Sequence, residues 1–592
     1  MAATNARVRL EGLAKQLGNT VEIQTGKPKF ELENRPVDAG RPLRVAVIGA
    51  GISGITAGIL LPVKVPGIDL TIYEKNSDVG GTWFENIYPG VRCDIPSNVY
   101  QSTFSPHTQW TEEFAQGPEI RAYWQGVAKK YKVRQYIKFS NKIIHAQWHP
   151  KEAKWVLRVE DLQSQKTTEE KFDVLISAIG RFNAWKLPDY PGIEEYQGHL
   201  RHSSNWDPNF DPRGKTVAVI GNGASGVQVV PELQKVVKQL DHYARSPTWI
   251  AGSFGGHDRK AEPMHFSPEQ LKEFEDPKKY LEYRKTLESA YWRRFAAIFK
   301  KSNENVTAKR DFTALMVKRL EDKPELVDSL VPSFSPYCRR LTPGPGYLEA
   351  LTKDNVNLIQ TRIKRFTKTG IETEDGVHRP VDAVICSTGA NVDHAPLFPI
   401  VSGDVDLSSA WKPDGKFGFP YTYIGIATPG FPNLFYLLGP NSAGQSGTLP
   451  HTVETLLTYI ARVLRKISTE GIQTITPSKA AADDFIEYSD TFFPTTVLSE
   501  ECSSWSNGGR PGARIHGHWP GSAAHANFVR RSPRWEDFEY TLQPQNRSRN
   551  RFAYWGNGWT TKELDPDSDV TPYLKPGEKV DLRDWHESWW DL

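Results

Sequence analysis

The feature that most constrains the fold of this chain is a glycine-rich loop that occurs twice, at 49–54 and at 221–226. Each copy follows an apolar, strand-like segment and precedes a helix-like segment, and a second strand-like segment comes next. This strand–loop–helix–strand order is typical of the Rossmann dinucleotide-binding unit. The repeat therefore predicts an α/β fold with two Rossmann-like dinucleotide-binding domains.

The first loop carries Gly49, Gly51 and Gly54 in G-x-G-x-x-G spacing. In such a loop the first glycine permits a tight turn and the second lets a pyrophosphate contact the backbone. The third lets the helix pack closely on the strand, and the N-terminal dipole of that helix faces the phosphates. Glu74 ends the next strand-like segment, at the offset where a carboxylate binds ribose hydroxyls. We therefore expect an adenine dinucleotide here.

The second loop differs from the first in the charge that follows it. Its next strand-like segment ends in Arg245 and Ser246 instead of an acidic residue. An arginine at this position pairs with a 2′-phosphate, which a carboxylate would repel. We therefore expect NADPH rather than NADH in the second site, the alternative being a surface arginine at a strand end. The residues expected to contact it from the loop and the following helix are Gly221, Asn222, Gly223, Ala224, Ser225, Gly226 and Gln228.

Composition excludes few classes of protein but favours a soluble enzyme. With 73 Lys and Arg against 70 Asp and Glu, the chain gives no reason to expect nucleic acid or an anionic membrane as a partner. We see no secretory signal and no apolar run of membrane-spanning length. The four cysteines are far apart in sequence and form no C-x-x-C pair. We therefore expect reduced thiols, a cytoplasmic location and no dithiol redox centre of the usual spacing.

Two other kinds of active site are not supported by the sequence. His516, His518 and His525 lie close together but lack a companion set of ligands, so we predict no metal. No G-x-S-x-G motif is present, which argues against a hydrolase.

The order of these features predicts five segments. They are an N-terminal extension at 1–40, a first part of the first dinucleotide domain at 41–180, a second dinucleotide domain at 181–384 with a helical insertion at about 258–335, a second part of the first domain at 385–480, and an irregular C-terminal loop and extension at 481–592. Within 385–480 the pattern predicts a long amphipathic helix at His451–Ile467.

Two longer motifs lie close to the glycine-rich loops in sequence. They are Y-Q-G-H-L-R-H-S-S-N-W-D at 196–207 and G-G-T-W-F-E-N-I-Y-P-G-V-R-C-D at 80–94. The first resembles the fingerprint F-x-G-x-x-x-H-x-x-x-W-[PD] of Baeyer–Villiger monooxygenases, which are class B flavin-dependent monooxygenases, with Tyr196 in place of the leading Phe, and the second is similar to the second fingerprint of that family. The resemblance covers about 41–515, and C-R-R-L-T-P-G-P-G-Y with the Trp-rich tail looks most like fungal members that act on bulky polyketide or terpenoid ketones.

The resemblance implies FAD in the first site, NADPH in the second, and insertion of one oxygen atom of O2 next to a ketone carbonyl. It implies that Arg340 is the active-site arginine, held by Asp94. A guanidinium suits this role because it stays protonated and presents several donors to a developing oxyanion. It also implies that Arg339 contacts the NADPH phosphate and that Trp505 borders substrate and NADP. Further residues expected at the cofactors are Gly81, Thr82, Trp83, Arg92, Cys93, Asp94 and Tyr100.

Several alternatives remain open at this point. A related flavin monooxygenase that oxygenates nitrogen or sulfur, hydroxylates or epoxidises would share both loops. A disulfide reductase would need a redox dithiol, and a flavin-binding scaffold would have no need of Arg340. His202 has a general-base alternative, but we expect it to orient the linker between the two domains. The substrate, its regiochemistry and the oligomeric state are not predicted, and no protein partner is evident.

Overall fold

The computed structural model describes residues 32–182, 184–251, 263–544, 550–572 and 574. The chain divides into two compact units. The smaller comprises 1–42, 463–475 and 540–592, and the larger comprises 43–462 and 476–539. Every residue predicted above to bind a cofactor or to act in catalysis belongs to the larger unit. The predicted N-terminal extension falls largely on 1–31, which lie outside the described residues.

The strands, in chain order, are β1 Leu43–Ile48, β2 Ile68–Tyr73, β3 Ile137–Lys138, β4 Asn141–His149, β5 Lys154–Asp161, β6 Thr167–Phe172, β7 Val174–Ser177, β8 His199–His202, β9 Thr216–Ile220, β10 Gln239–Tyr243, β11 Val356–Ile359, β12 Ile363–Thr367, β13 Gly370–Thr373, β14 His378–Pro380, β15 Ala383–Cys386, β16 Ile400–Ser402, β17 Val405–Asp406, β18 Leu434–Tyr436, β19 Ile472–Pro477 and β20 Phe538–Leu542.

The helices, in the same order, are α1 Ile52–Lys64, α2 Thr82–Glu85, α3 Gly117–Lys130, α4 Ala224–Gln234, α5 Pro268–Glu273, α6 Pro277–Trp292, α7 Asn303–Arg319, α8 Val327–Leu330, α9 Tyr347–Leu351, α10 Leu407–Ala410, α11 Leu449–Thr469, α12 Lys479–Phe492, α13 Ala523–Arg530 and α14 Thr561–Leu564. Short 3₁₀ turns connect several of these helices. The predicted amphipathic helix is confirmed in α11, which extends two residues further at each end.

The first glycine-rich loop belongs to a five-stranded parallel sheet with the order β18-β7-β1-β2-β3. Its central strand β1 is almost wholly buried, as expected for a parallel strand covered on both faces. Strands β7 and β18 pair although they are far apart in sequence, so the chain returns to this sheet after building the second one. One apolar cluster joins this sheet to the mixed sheet β17-β16-β4-β5-β6 through Trp155, Leu175 and Trp411.

The second loop belongs to another five-stranded parallel sheet, with the order β11-β10-β9-β15-β8. Five described helices, α5 to α9, lie between β10 and β11 in sequence, and the first four fall in the segment at about 258–335 that the sequence predicted to be a helical insertion. The α/β class with two Rossmann-like sheets is confirmed. In both sheets the loops leave the carboxyl ends of parallel strands, which is where α/β proteins bind nucleotides.

The long helix α11 is amphipathic and carries buried apolar residues along one face. Within the described ranges, the chain contains no helix that is both long and apolar enough to cross a bilayer.

Candidate active site

The first loop closes as tightly as its glycine spacing predicts. Gly49 adopts a φ of +104°, which L side chains rarely adopt, and so makes the turn out of β1. A Cβ on Gly54 would lie 1.9 Å from the carbonyl oxygen of Gly49, so only glycine lets α1 pack here. Within the described chain no side chain caps α1, whose N-cap residue is Gly51. The N–H groups of its first turn are therefore available to a phosphate.

The second loop repeats this geometry. A Cβ on Gly226 would lie 2.0 Å from the carbonyl oxygen of Gly221, and helix α4 begins after Gly223 without a side-chain cap among the described residues. A Cβ on Gly223 would meet no atom within 4 Å, so this backbone faces open space. Both loops thus present bare backbone and a helix N-terminus, which fits the pyrophosphate of a dinucleotide.

The two glycine-rich loops are each followed by a helix and a strand, and the residues after these two strands carry opposite charges. Glu74 follows β2, is buried, and accepts hydrogen bonds from the backbone N–H groups of Ala50 at 2.7 Å and Asn76 at 2.8 Å. Burial raises the pKa of the Glu74 carboxyl, and the two N–H groups oppose that shift. Arg245 follows β10 and is exposed, while the side chain of Asn222 donates to the carbonyl of Ser246 at 2.7 Å. The acidic and basic ends of the two sites are therefore placed as the sequence predicts.

One cavity of about 1180 Å³ connects the two loops. Its volume exceeds the ~300–1,000 Å³ usual for a pocket that holds one small molecule. The predicted residues that line it are Gly49, Gly51, Glu74, Gly81, Thr82, Trp83, Arg92, Cys93, Asp94, Tyr100, Gly221, Asn222, Gly223, Ala224, Ser225, Gln228, Arg245, Ser246, Arg339, Arg340 and Trp505. Of the predicted set, Gly54 and Gly226 do not line the cavity, which agrees with their role in helix packing.

Some of these cavity residues also hold the site together. Gln228 of α4 accepts a hydrogen bond from the Tyr88 hydroxyl at 2.9 Å and donates to the carbonyl of Arg92 at 3.0 Å. The Arg92 guanidinium pairs at 2.9 Å with Glu112, and both side chains are buried. A Cβ on Gly90 would lie 2.4 Å from the Gln228 carbonyl oxygen. The 80–94 motif therefore docks its backbone onto the helix of the second loop, while the Arg92 side chain pairs with Glu112.

Arg340 and Asp94 form the ion pair that the resemblance implies. The Arg340 Nε and Nη2 atoms each donate to an Asp94 carboxylate oxygen at 2.5 Å. The Arg340 side chain is 42 % exposed and lines both cavities. Its exposed area therefore faces the cavities. Burial opposes the charge of Arg340, but Asp94 outweighs it and raises the guanidinium pKa above its ordinary value. The arginine is therefore a fixed cation.

A smaller cavity of about 100 Å³ adjoins the large one at Arg340. Both cavities are lined by Arg339, Arg340, Ser504 and Trp505. The other walls of the smaller cavity include Tyr291 and Ile298, from the helical segment, and Gln445. The sequence predicted a helical insertion at about 258–335 but did not assign these residues to a cavity, because their convergence depends on tertiary packing.

The Arg340 segment and the Trp505 loop are joined covalently. Cys338 and Cys502 form a disulfide with 6.3 Å between their Cα atoms, across 164 residues of sequence. The prediction of reduced thiols was wrong for this pair and is consistent with the other two cysteines, Cys93 and Cys386, which are free and buried. Spacing along the chain gave no signal, because the fold brings together segments that are distant in sequence.

His202 has both ring nitrogens occupied by backbone groups. Its Nε2 lies 3.1 Å from the Gly389 carbonyl, its Nδ1 accepts from the Ser204 N–H at 3.1 Å, and its ring stacks on Trp185. Burial lowers the pKa of the imidazole. His202 is the last residue of β8, the edge strand of the second sheet. The motif at 196–207 is therefore part of that sheet and also leads the chain into it. These contacts support an orienting role.

Arg181 is among the charged residues of the large cavity that sequence reasoning missed. It comes three residues after Ala178, beyond the end of β7, and its guanidinium lies 4.9 Å from the centre of the Trp505 ring. The signal that could have found it is an arginine directly after the A-I-G turn that follows an apolar strand.

Comparisons with known proteins agree with this geometry. Residues 42–263 match the family described as "Flavin-binding monooxygenase-like". The chain is 35% identical to the FAD-binding monooxygenase tazF of Aspergillus terreus, over 90% of this chain and 95% of that protein. It is 32% identical to the FAD-binding monooxygenase moxY of Dothistroma septosporum, over 93% of this chain and 87% of that protein.

Solved structures show the same fold. The closed crystal structure of cyclohexanone monooxygenase matches with a TM-score of 0.72 at 23% identity, over 85% of this chain and 100% of that one. The complex of OTEMO with FAD and NADP matches with a TM-score of 0.72 at 26% identity, over 84% of this chain and 99% of that one. By the extent of its match to tazF and moxY, the chain belongs to the FAD-binding monooxygenases.

Proposed function

We propose that this protein is a Baeyer–Villiger monooxygenase that uses FAD and NADPH to insert one oxygen atom of O2 next to the carbonyl of a bulky ketone, giving an ester or lactone. The observation that carries the proposal is Arg340, held by Asp94 through two hydrogen bonds and exposed to both cavities. Structural relatives named for cyclohexanone and steroid oxygenation support it.

The cofactors fit the residues present. The first loop and Glu74 would hold FAD, and the second loop, Arg245 and Arg339 would hold NADPH. When bound, FAD reduced by NADPH supplies the activation of O2. The OTEMO structure holds this same pair of cofactors.

Arg340 performs two tasks in this proposal. Asp94 occupies its Nε and Nη2 atoms and fixes the plane of the guanidinium, while Nη1 has no partner among the described residues. Nη1 can therefore donate to an oxygen that carries negative charge, either on the oxidant or on the attacked carbonyl. Because the guanidinium keeps its proton, it stabilises that charge without protonating it.

Asp94 keeps Arg340 in place through charge and geometry. A bidentate arginine–carboxylate pair is stronger and more directional than a neutral hydrogen bond. Without Asp94, the guanidinium would be a desolvated cation beside a second one, Arg181. We expect Asp94 to act as a positioning residue.

The experiment is a product assay with purified, FAD-loaded protein, NADPH, isotope-labelled O2 and a panel of ketones, sulfides and amines. We expect esters or lactones that contain one labelled oxygen atom. Formation of only N-oxides, S-oxides, hydroxylated products or epoxides would instead establish the related class of flavin monooxygenase.

A further inference from the structure

A second arginine, Arg362, lines the large cavity at the same edge of the second sheet as Arg245. Strand β11 pairs with β10, with Ile359 opposite Tyr243, and the Ala244 N–H donates to the Ile359 carbonyl at 3.0 Å. Arg245 comes two residues after Tyr243, and Arg362 comes three residues after Ile359. Because paired strands lie about 4.8 Å apart, the two arginines leave neighbouring positions at the carboxyl ends of these strands.

The Arg362 side chain is exposed, and it forms no hydrogen bond or ion pair with any residue that the structure describes. Its backbone is fixed, because its carbonyl accepts a hydrogen bond from the Glu374 N–H at 2.9 Å. Two other cations on β12, Lys364 and Arg365, both pair with Glu372, at 2.7 and 2.8 Å, and neither lines the cavity. Arg362 therefore differs from these neighbours both in facing the cavity and in keeping its donors uncommitted within the described ranges.

The order of the strands indicates which part of a dinucleotide Arg362 faces. In a Rossmann unit the glycine-rich loop holds the pyrophosphate, and the residue after the next strand binds the adenosine ribose or its 2′-phosphate. In the second sheet the loop follows β9, Arg245 follows β10, and β11 lies on the other side of β10. Arg362 therefore lies beside Arg245 on the side away from the loop, where the adenosine end of the dinucleotide is expected.

The charge at this end of the cavity suits a phosphate group. Arg245 and Arg362 are both exposed cations, and Glu374 is an exposed carboxylate on the same wall. A phosphate monoester carries about two negative charges at neutral pH and presents several acceptor oxygens, so it can bind two guanidinium groups at once. The ribose 2′-hydroxyl of NADH offers neither the charge nor the number of acceptors.

We propose that Arg362 binds the 2′-phosphate of NADPH together with Arg245, and that the two arginines set the preference for NADPH over NADH. This rests on the NADPH site of the proposed function and adds a residue to it. An arginine can also stack on the adenine ring. That contact would not depend on the 2′-phosphate, so binding measurements distinguish it.

The test compares two ligands that differ only in the 2′-phosphate, adenosine 2′,5′-bisphosphate and adenosine 5′-monophosphate. Each is titrated calorimetrically into the FAD-loaded protein at constant ionic strength, so the measurement requires neither turnover nor a ketone. The variants are Arg362→Ala, Arg245→Ala and the double variant. Arg365→Ala is the matched control, since it removes an exposed cation of the same hairpin that lies outside the cavity lining. Flavin content and melting temperature report whether each variant folds.

We expect Arg362→Ala to weaken binding of the bisphosphate about tenfold and to leave binding of the monophosphate nearly unchanged. The double variant should bind the two ligands with nearly equal affinity, and Arg365→Ala should behave as the wild type. In anaerobic flavin reduction, Arg362→Ala should raise the NADPH concentration for half-maximal rate about tenfold without lowering the limiting rate. Arg362→Lys should restore part of the affinity for the bisphosphate.

The outcomes separate this proposal from the proposed function. Wild-type affinity of Arg362→Ala for the bisphosphate, with weakened binding by Arg245→Ala, would overturn the role of Arg362 and leave the NADPH site intact. Equal weakening of both ligands by Arg362→Ala would place the arginine at the adenosine instead and would also overturn the proposal. Equal binding of the two ligands by the wild type would reject the NADPH preference itself. The ketone reaction is tested separately by the product assay.

Discussion

Three arginines of this cavity, Arg181, Arg245 and Arg340, differ in what lies opposite the guanidinium. Arg340 pairs with Asp94, Arg245 is exposed at the end of β10, and Arg181 has two buried donor atoms that find no partner in the described part of the chain. Residue type alone does not distinguish these situations, but motif position identified two of them. Arg245 was predictable from its offset after the second glycine-rich loop, and Arg340 from the resemblance of its segment to the corresponding stretch of Baeyer–Villiger monooxygenases. Arg181 has no such offset, and its burial depends on contacts with Trp505 and Gly517, which come from the distant C-terminal loop.

The charge of Arg245 gives a prediction about the dinucleotide. Arg245→Ala should raise the KM for NADPH about tenfold or more and leave the KM for NADH nearly unchanged, because NADH lacks the 2′-phosphate. Steady-state kinetics with each dinucleotide measure this. Arg213→Ala is a matched control, since Arg213 is exposed and pairs with Asp211 at 2.8 Å outside the cavity. An equal change in both KM values for Arg245→Ala would mean that it does not contact the 2′-phosphate.

Among the elements, those built from local sequence were the most predictable. Strands β1, β2, β9 and β10, the glycine turns and helix α11 follow from apolar periodicity and glycine spacing, which act over a few residues. The Trp505 loop is different, because its position depends on non-local contacts. Cys502 bonds to Cys338, and Glu500 accepts hydrogen bonds from the backbone N–H and the hydroxyl of Ser335. The disulfide thus ties the segment that carries Arg340 to the loop that borders both cavities.

The disulfide gives a prediction about stability. Removing it in the Cys338→Ser, Cys502→Ser double variant should lower the melting temperature, because a crosslink across a loop this long stabilises by up to about 5 kcal/mol in the chain-entropy model. A reductant should lower the melting temperature of the wild-type protein and leave that of the double variant unchanged.

Counting thiols tests the pairing itself. Alkylation of the denatured, unreduced protein should modify Cys93 and Cys386, and reduction should expose the other two. Alkylation of all four cysteines without reduction would show that the bond is absent.

At the scale of the whole larger unit, the sequence predicted two Rossmann-like sheets and the charges at their ends but not the cavity that joins them. Both glycine loops face that cavity because both leave the carboxyl ends of parallel strands. The hydrogen bond from Tyr88 to Gln228 holds the 80–94 segment against helix α4 and joins segments 140 residues apart. The domain boundaries and the cytoplasmic location remain predictions. Tyr291 and Ile298 could not be assigned to the smaller cavity, because a helical pattern does not reveal which neighbour a helix face contacts.

The proposed function assigns Arg340, held by Asp94, to oxygenation and not to the reduction of FAD. The most direct measurement compares the two half-reactions in the wild-type protein and Arg340→Ala: the rate of anaerobic flavin reduction by NADPH, and the rate of ester formation from a ketone that the wild type converts. We expect ester formation to fall at least ~100-fold, since the loss of one such donor costs ~2.7–4 kcal/mol, while flavin reduction falls much less. Ester formation near the wild-type rate, or an equal loss of both rates, would show that Arg340 does not have this role.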